Sequence, residues 1–173
     1  MVRGRGVDRQ EERVQDHSPR RQQRDPVARR GRDEPVASAR TPAHDMFDVD
    51  VASRSLGIEL VGAGAGAAEA RMRVTPAMVN GHGIGHGGYV FLLADTAFAL
   101  ACNSYGPATV AAGGEISFLR PVRAGDVLTA RATERVRHGR NGIYDVTVLR
   151  GDEVIAEFRG RSRTLSPVAG PPG

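Results

Sequence analysis

The chain has 173 residues, a formal net charge of +4 and a single cysteine, Cys102. This length leaves room for one ordinary domain, and one thiol cannot form an intrachain disulfide, so we expect a reducing, cytoplasmic setting. No apolar run is long enough to cross a bilayer, and the N-terminus lacks the apolar core of a secretory signal. We therefore expect no membrane partner.

Residues 1–45 contain 11 arginines and 8 acidic residues among isolated valines and alanines. This composition buries too little apolar surface to offset the entropy of ordering, so it predicts a disordered extension. The acidic residues argue against a transit peptide. No aromatic residue precedes Phe47, so the segment lacks the aromatics that accompany basic patches in nucleic-acid binding, and no nucleic-acid partner is expected. We expect the folded domain over residues 46–165 and a flexible tail over residues 166–173.

The first half of the domain contains several predicted helices, strands and loops. Residues 48–56 are compatible with a short helix, and residues 58–61 and 67–74 are two strand candidates joined by a glycine-rich turn. A second glycine-rich loop covers residues 80–88. Residues 89–104 are almost wholly apolar and end at Gly106-Pro107, which indicates one long helix.

The last third predicts four strands, at residues 109–119, 126–137, 142–150 and 154–164. The final segment alternates small or apolar residues with charged ones, a pattern typical of a half-buried antiparallel strand. The elements predict an α+β domain in which an antiparallel sheet curls around the long helix. A helix that is apolar on nearly all sides must be buried on nearly all sides. One sheet covers one side only, so the helix also predicts an oligomer.

The loop at residues 80–88 is the first candidate for chemistry, because five of its nine residues are glycine and it leads into the helix. Glycines let backbone amides approach a ligand, and a helix start offers unpaired N–H groups that favour developing negative charge. The alternative is a flexible connector. Residues 83–88 also fit a dinucleotide-binding glycine pattern, but without the preceding strand or the following acid. His82 and His86 lack a helix and a third ligand, so neither metal nor cofactor is expected.

Asp95 is the sharpest candidate, because it lies in mid-helix between apolar residues on both sides. An unpaired buried carboxylate is costly. Asp95 is therefore either a paired core carboxylate or a catalytic base or nucleophile whose surroundings set its pKa. The neighbouring Thr96 and Cys102 fit a packing role, and a Cys102 nucleophile would need a base that no adjacent residue supplies.

Several segments together resemble a known family of enzymes. These are residues 80–82, 86–88, 93–99, 101–104 and 118–121. They resemble the phenylacetic-acid-degradation thioesterases, which are hot-dog-fold hydrolases of aryl acyl-CoA such as phenylacetyl-CoA and hydroxyphenylacetyl-CoA. The resemblance extends over residues 56–164. It implies a hot-dog fold, an acyl-CoA substrate, and assembly as a homodimer or homotetramer.

The resemblance also implies roles for single residues. The N–H of Gly87 would polarise the thioester carbonyl, Asp95 would activate water or attack directly, and Asn80 and His86 would shape the site. Candidates for substrate binding are Gly88, Thr96 and Arg120, although Thr96 also fits packing. Some relatives add a hydroxyl from the strand after the helix, and residues 111–114 offer none here.

The spacing of Gly87 and Asp95 bears on how such a site is assembled. Eight residues span about 12 Å along one helix, whereas an attacking group and an oxyanion donor must both lie about 3 Å from one reacting centre. We therefore expect Asn80, His86 and Gly87 of one subunit to face Asp95 of another. Two alternatives stay open: a non-catalytic acyl-CoA-binding protein, and a hot-dog enoyl-CoA hydratase or dehydratase.

Overall fold

The computed structural model describes Met1 and residues 39–166. Its centre is one six-stranded antiparallel sheet in which the strands follow the order β1-β2-β4-β5-β6-β3. The strands are β1 (Glu59–Gly64), β2 (Ala67–Arg73), β3 (Thr109–Phe118), β4 (Val127–His138), β5 (Asn141–Arg150) and β6 (Glu153–Thr164). A single long helix packs against all six strands, which confirms the predicted antiparallel sheet around a central apolar helix.

Alternating burial on the strands defines the inner face of the sheet. On β5 the buried residues are Gly142, Tyr144, Val146 and Val148, and the residues between them are more exposed. Side chains of successive strand residues point to opposite faces, so this period-two pattern puts the apolar set against the helix. The outer face carries charges, among them the pair between Arg159 and Asp145.

The turn between β1 and β2 is tighter than the sequence predicted. The strands continue through Gly64 and restart at Ala67, so only Ala65 and Gly66 form the turn. Both residues have positive φ, at 50° and 77°, as two-residue hairpin turns commonly require. The glycines that predicted a five-residue turn are therefore mostly strand residues.

The long helix, here α3, spans Gly87–Asn103. It begins two residues before the predicted start because His86 caps it. Leu93, Ala97 and Leu100 are fully buried against the sheet. Phe98 packs edge-on to Tyr144, and Gly160 leaves room for its ring, because a Cβ there would lie 2.7 Å from a Phe98 ring atom. The fit is close enough that a side chain at position 160 would force α3 away from β6.

The short helix predicted at residues 48–56 is present over a narrower range, and an unpredicted helix precedes it. Two helices occupy this region, α1 at Pro42–Asp48 and α2 at Val51–Ser55. Asp50 separates them because its carboxylate accepts a hydrogen bond from the Ser53 N–H at 3.0 Å and so starts a new helix.

The predicted boundary at residue 46 is also corrected, since α1 begins at Pro42 and Ala43 is fully buried. α1 packs on α3, and Arg40 holds its exposed side through Asp45 and Asp48. The first four residues of α1 were not predicted to be folded, because the sequence around them is polar. Residues 2–38 of the predicted disordered extension lie outside the described residues, as do residues 167–173 of the predicted tail. Among the described residues, no helix is long and apolar enough to cross a membrane.

The burial of Ala43 predicts that this first helix contributes to stability. In the full chain, Ala43→Asp places an unpaired charge between α1 and the core, so it should lower the free energy of unfolding by at least about 2 kcal/mol. Ala52→Asp makes the same change at an exposed helix position and should stay within about 0.5 kcal/mol of the unaltered chain. Thermal melting followed by circular dichroism measures both, and equal melting temperatures would show that α1 does not contribute.

Candidate active site

The glycine-rich loop before α3 is held by its own hydrogen bonds. The Asn80 N–H donates to the Ile84 carbonyl at 2.8 Å, and the Gly83 N–H donates to the Asn80 carbonyl at 3.0 Å. The Asn80 Oδ1 accepts from the His82 N–H at 2.9 Å. The turn needs a left-handed residue at Gly83, where φ is 72°. The loop therefore has a defined shape, which argues against the flexible-connector interpretation.

Two further bonds fix the end of the loop to the rest of the domain. The Gly85 N–H donates to the Val122 carbonyl at 2.7 Å, and the His86 N–H donates to the Met78 carbonyl at 2.8 Å. A Cβ on Gly85 would lie 2.5 Å from a Val122 methyl group, so the close approach requires glycine. The start of α3 is consequently placed by the backbone on either side of it.

His86 caps α3 and leaves one amide open. Its Nδ1 accepts from the Gly88 N–H at 2.9 Å, and its carbonyl accepts from the Tyr89 N–H at 3.0 Å. In residues 39–166 no acceptor is found for the Gly87 N–H. An N–H at the first position of a helix has no acceptor within that helix and lies at the positive end of its dipole. The Gly87 N–H is therefore available to a ligand oxygen.

The hydrogen bond from the Gly88 N–H to Nδ1 also determines which nitrogen of the His86 ring can donate to a ligand. In a neutral imidazole, an Nδ1 that accepts a hydrogen bond leaves the proton on Nε2. The ring is exposed, so its Nε2–H can donate to a bound molecule. The side-chain amide of Asn80 can also donate to a bound molecule. Its oxygen accepts from the His82 N–H, and its NH₂ has no acceptor in the described part of the chain. Asn80, His86 and Gly87 thus present three donors on one loop and helix start.

Asp95 lies two turns further along α3, on the side away from the sheet. It belongs to a line of residues that are partly buried or exposed, which we call the open stripe: Gly88, Phe91, Leu92, Asp95 and Ala99. These positions share one face because they recur at helical spacing. The chain's own sheet covers the open stripe only in part, since Phe91 still packs edge-on to Phe158 of β6.

The Asp95 carboxylate is half-buried and has no hydrogen bond or ion pair within residues 39–166. Burial raises its pKa above the 3.8 that is ordinary for an aspartate, because a low-dielectric surrounding disfavours the charged form. The paired core carboxylate that the sequence left open is therefore not what this chain by itself provides. A lone carboxylate of raised pKa is a stronger proton acceptor than an exposed one.

Thr96 and Cys102 are engaged in packing. The Thr96 side chain is 6% exposed, and its hydroxyl bonds the Leu92 carbonyl and the Ser53 hydroxyl, each at 2.9 Å. This arrangement supports packing rather than substrate binding for Thr96. Burial raises the pKa of the Cys102 thiol to about 12, so the thiolate that nucleophilic attack requires is absent near neutral pH.

The remaining candidates lie at the surface. Gly88 is exposed at the start of α3. Arg120 follows β3 and is held in place by Glu153 at 3.0 Å and by the Val154 carbonyl at 2.6 Å. His82 is exposed, and in the described ranges no three side chains of the metal-ligating types come together.

One neighbour of the site was not recognised from the sequence. The Phe118 ring, at the end of β3, lies against Gly87, where a Cβ would be 2.9 Å from the nearest ring atom. Residues 118–121 contributed only to the family resemblance, and their spacing along the chain says nothing about proximity to residue 87. The contact arises from the sheet, which brings the end of β3 to the start of α3.

Comparison with known proteins identifies the class of enzyme. Residues 82–157 match the family model of the thioesterase superfamily, a segment that runs from the glycine-rich loop through α3 to β6. With one helix inside an antiparallel sheet and an open amide at the helix start, the chain is a hot-dog thioesterase, an enzyme that hydrolyses thioesters.

The relatives narrow this class. The acyl-coenzyme A thioesterase PaaI of Escherichia coli is 45% identical over 124 residues, which cover 71% of this chain and 89% of that protein. E. coli PaaI is a protein from the phenylacetic acid degradation operon. Its solved structure superposes on this chain with a TM-score of 0.70, over 72% of this chain and 91% of its own. A mutant of the phenylacetic acid degradation protein PaaI from Thermus thermophilus is 34% identical, with a TM-score of 0.63 over 65% of this chain and 97% of its own. The chain belongs to the PaaI-type acyl-CoA thioesterases.

The position of Asp95 predicts an unusual effect on stability. Its folded-state pKa is raised, so the folded protein loses stability as pH rises from the unfolded-state pKa through the folded-state one. Asp95→Asn removes that loss and should melt no lower than the unaltered protein at about pH 7, with a smaller difference near about pH 4. Melting curves at the two pH values measure this. A clear drop for Asp95→Asn at neutral pH would indicate a structural carboxylate.

Proposed function

We propose that the protein hydrolyses aryl acyl-CoA, such as phenylacetyl-CoA or hydroxyphenylacetyl-CoA, to the free acid and CoA. The observation that carries the proposal is the pair of unsatisfied groups on α3: the Gly87 N–H, which has no acceptor, and the Asp95 carboxylate, which has no donor, in residues 39–166. One can stabilise negative charge and the other can take a proton. Thioester hydrolysis requires both capacities.

The Gly87 N–H would accept the developing charge on the thioester oxygen. As the carbonyl carbon becomes tetrahedral, its oxygen gains negative charge, which a fixed donor at the positive end of a helix stabilises without reorganisation. The Nε2–H of His86 and the amide of Asn80 lie on the same loop and helix start and can hold the substrate in place. The hydrogen bonds within the loop support this role, because they set these donors before substrate binds.

Asp95 would act as general base or as nucleophile. As a base it takes a proton from water while the water oxygen bonds to the carbonyl carbon. The C–S bond then breaks, and the proton returns to the CoA sulfur. As a nucleophile its oxygen bonds to the carbonyl carbon first, CoA leaves, and water hydrolyses the resulting anhydride. Both routes need the ionised carboxylate, so with its raised pKa we expect activity to fall on acidification above the ordinary range of an aspartate.

The two groups would meet across two subunits. About 12 Å of helix separates Gly87 from Asp95, so one copy of α3 cannot bring both to one carbonyl. An antiparallel second copy that covers the open stripe would bring Gly87 of one chain to Asp95 of the other. The partly buried Phe91 and Leu92 on that stripe support a second copy as the cover, because they are apolar. We propose a homodimer as the smallest active unit, which can pair further into a homotetramer.

The substrate assignment combines the relatives and the surface. The E. coli relative is an acyl-coenzyme A thioesterase from the phenylacetic acid degradation operon, and the Thermus relative is a phenylacetic acid degradation protein. The exposed Arg120 guanidinium is a candidate for CoA phosphate, since arginine forms paired hydrogen bonds with phosphate oxygens. The exposed Gly88 lets substrate approach the helix start.

Replacement of Asp95 tests the chemistry. Asp95→Asn should lower kcat on phenylacetyl-CoA by about 10²–10⁴, because an amide neither takes a proton from water nor attacks as an anion. Binding of intact substrate should persist, since the loop donors remain. Asp152→Asn makes the same change in an exposed turn and should leave kcat unaltered. Release of CoA followed with a thiol reagent gives both values, and a near-normal kcat for Asp95→Asn would exclude the proposed mechanism.

Mixed subunits test the shared site. Gly87→Pro deletes the amide, and proline suits the first helical position. The preceding His86 also has a compatible extended backbone, with ψ of 128°. Gly87→Pro and Asp95→Asn should each be nearly inactive alone. After subunits are exchanged in an equimolar mixture, half of the dimers are mixed and each holds one intact site, so about a quarter of normal activity should return.

Gly87→Ala is the matched control for this experiment. It places a Cβ against Phe118 as proline does but keeps the N–H. If Gly87→Ala is as inactive as Gly87→Pro, crowding rather than the lost donor explains the defect. If the mixture regains nothing although light scattering and mass spectrometry show mixed dimers, each site lies within one chain and the two-subunit arrangement is wrong.

A further inference from the structure

The Phe118 ring is the open apolar surface beside the proposed oxyanion donor. Phe118 pairs with Ala156 of β6, whose side chain is fully buried on the inner face of the sheet, yet Phe118 is 54% exposed. The ring lies against the start of α3, and it can do so because residue 87 has no Cβ. Three ring atoms lie 2.9–3.3 Å from the point where a Cβ of Gly87 would be.

The position of this ring is set by the sheet. After Phe118 the chain is held by two hydrogen bonds to the Ile155 carbonyl, from the Leu119 N–H at 2.8 Å and from the Arg120 N–H at 3.2 Å. Other aromatic residues of the core pair with each other, for example Phe91 with Phe158. Within residues 39–166, Phe118 has no such ring partner, so its face is available to a bound molecule.

A thioester bound at Gly87 must come close to this ring. A carbonyl oxygen that accepts from an N–H lies about 2.9 Å from the nitrogen. The first carbons of the acyl group are within two bonds of the carbonyl carbon, so they also lie near Gly87. Resting on the proposed role of Gly87, we propose that Phe118 determines acyl specificity. Its ring forms an aromatic wall that favours acyl groups carrying an aromatic ring near the thioester carbonyl.

The acyl group suits this wall better than the pantetheine arm of CoA does. The arm carries amides that lose hydrogen bonds with water when they are buried against a surface without polar atoms. A phenyl side chain offers no donor or acceptor. An aromatic acyl group has no such groups to desolvate, and two rings gain energy beyond their buried area when they stack or meet edge to face. Phe118 therefore selects among acyl groups rather than for CoA itself.

The test compares two substrates that differ only in the aromaticity of the ring. Phenylacetyl-CoA and cyclohexylacetyl-CoA have the same carbon skeleton, and kcat/KM is measured for both. Phe118→Leu keeps an apolar side chain without a ring and should reduce the preference for phenylacetyl-CoA by about 3- to 10-fold. Phe118→Tyr keeps the ring and should retain the preference. Val61→Ala removes a similarly exposed apolar side chain, 50% exposed, from the opposite edge strand and should leave both values unchanged.

Three outcomes would overturn the proposal. An equal loss on both substrates would place Phe118 against the pantetheine arm. An unchanged preference in Phe118→Leu would show that the ring does not contact the acyl group. A fall in the mass measured by light scattering would make Phe118 a subunit contact. Failure of the proposed function is separate from these, since it would appear as normal turnover of both substrates by Asp95→Asn.

Discussion

The architecture depends on burying one helix that is apolar around most of its circumference. α3 contacts every strand of the sheet, and the sheet covers only one side of it. Leu93, Ala97 and Leu100 are fully buried, whereas the open stripe keeps partial access to solvent. The free energy gained from apolar burial grows with the area removed from water. The same helix that organises the monomer core therefore favours association along its other side.

This constraint also explains why a carboxylate can be kept in such a helix. Asp95 lies on the open stripe and not on the face packed against the sheet, so it loses part of its hydration without being sealed among apolar side chains. Burial raises its pKa while leaving access for water. At the start of α3, loop hydrogen bonds and the His86 cap satisfy the amides that neighbour Gly87. What remains on α3 includes the open N–H of Gly87 and the open carboxylate of Asp95.

Much of this could be predicted from the sequence, because the patterns involved are local. Alternation on the strands, the apolar run of α3 and its end at Gly106-Pro107 depend only on residues near one another. The family resemblance pointed to Gly87 and Asp95. What could not be predicted depends on contacts between distant segments. The first four residues of α1 lie in a polar stretch, and Ala43 among them is buried only through packing on distant elements.

Two residues at or near the site illustrate the same limit. Thr96 adjoins Asp95 in sequence but lies on another face of the helix, where its hydroxyl meets Ser53, 43 positions away. Phe118 is distant from Gly87 in sequence and touches it only because β3 ends beside the start of α3. Neither contact produces a pattern in the nearby sequence from which it could be predicted. The sequence indicates only that Gly87 gives the backbone freedom, whereas in the structure the Phe118 ring occupies the space beside it.

The edge position of β3 has a consequence for handling the protein. Its outer side lacks a strand partner among the described residues, and residues 111–114 are Ala-Ala-Gly-Gly, small and mostly exposed. Edge strands that present flat, uncharged backbone are templates for pairing with other chains, which natural proteins usually block with charges, prolines or coverage. The edge of β3 is therefore where we expect chains to associate when the protein is concentrated. Association through backbone groups that are already extended requires no unfolding, so precipitation would set in while the secondary structure was still intact.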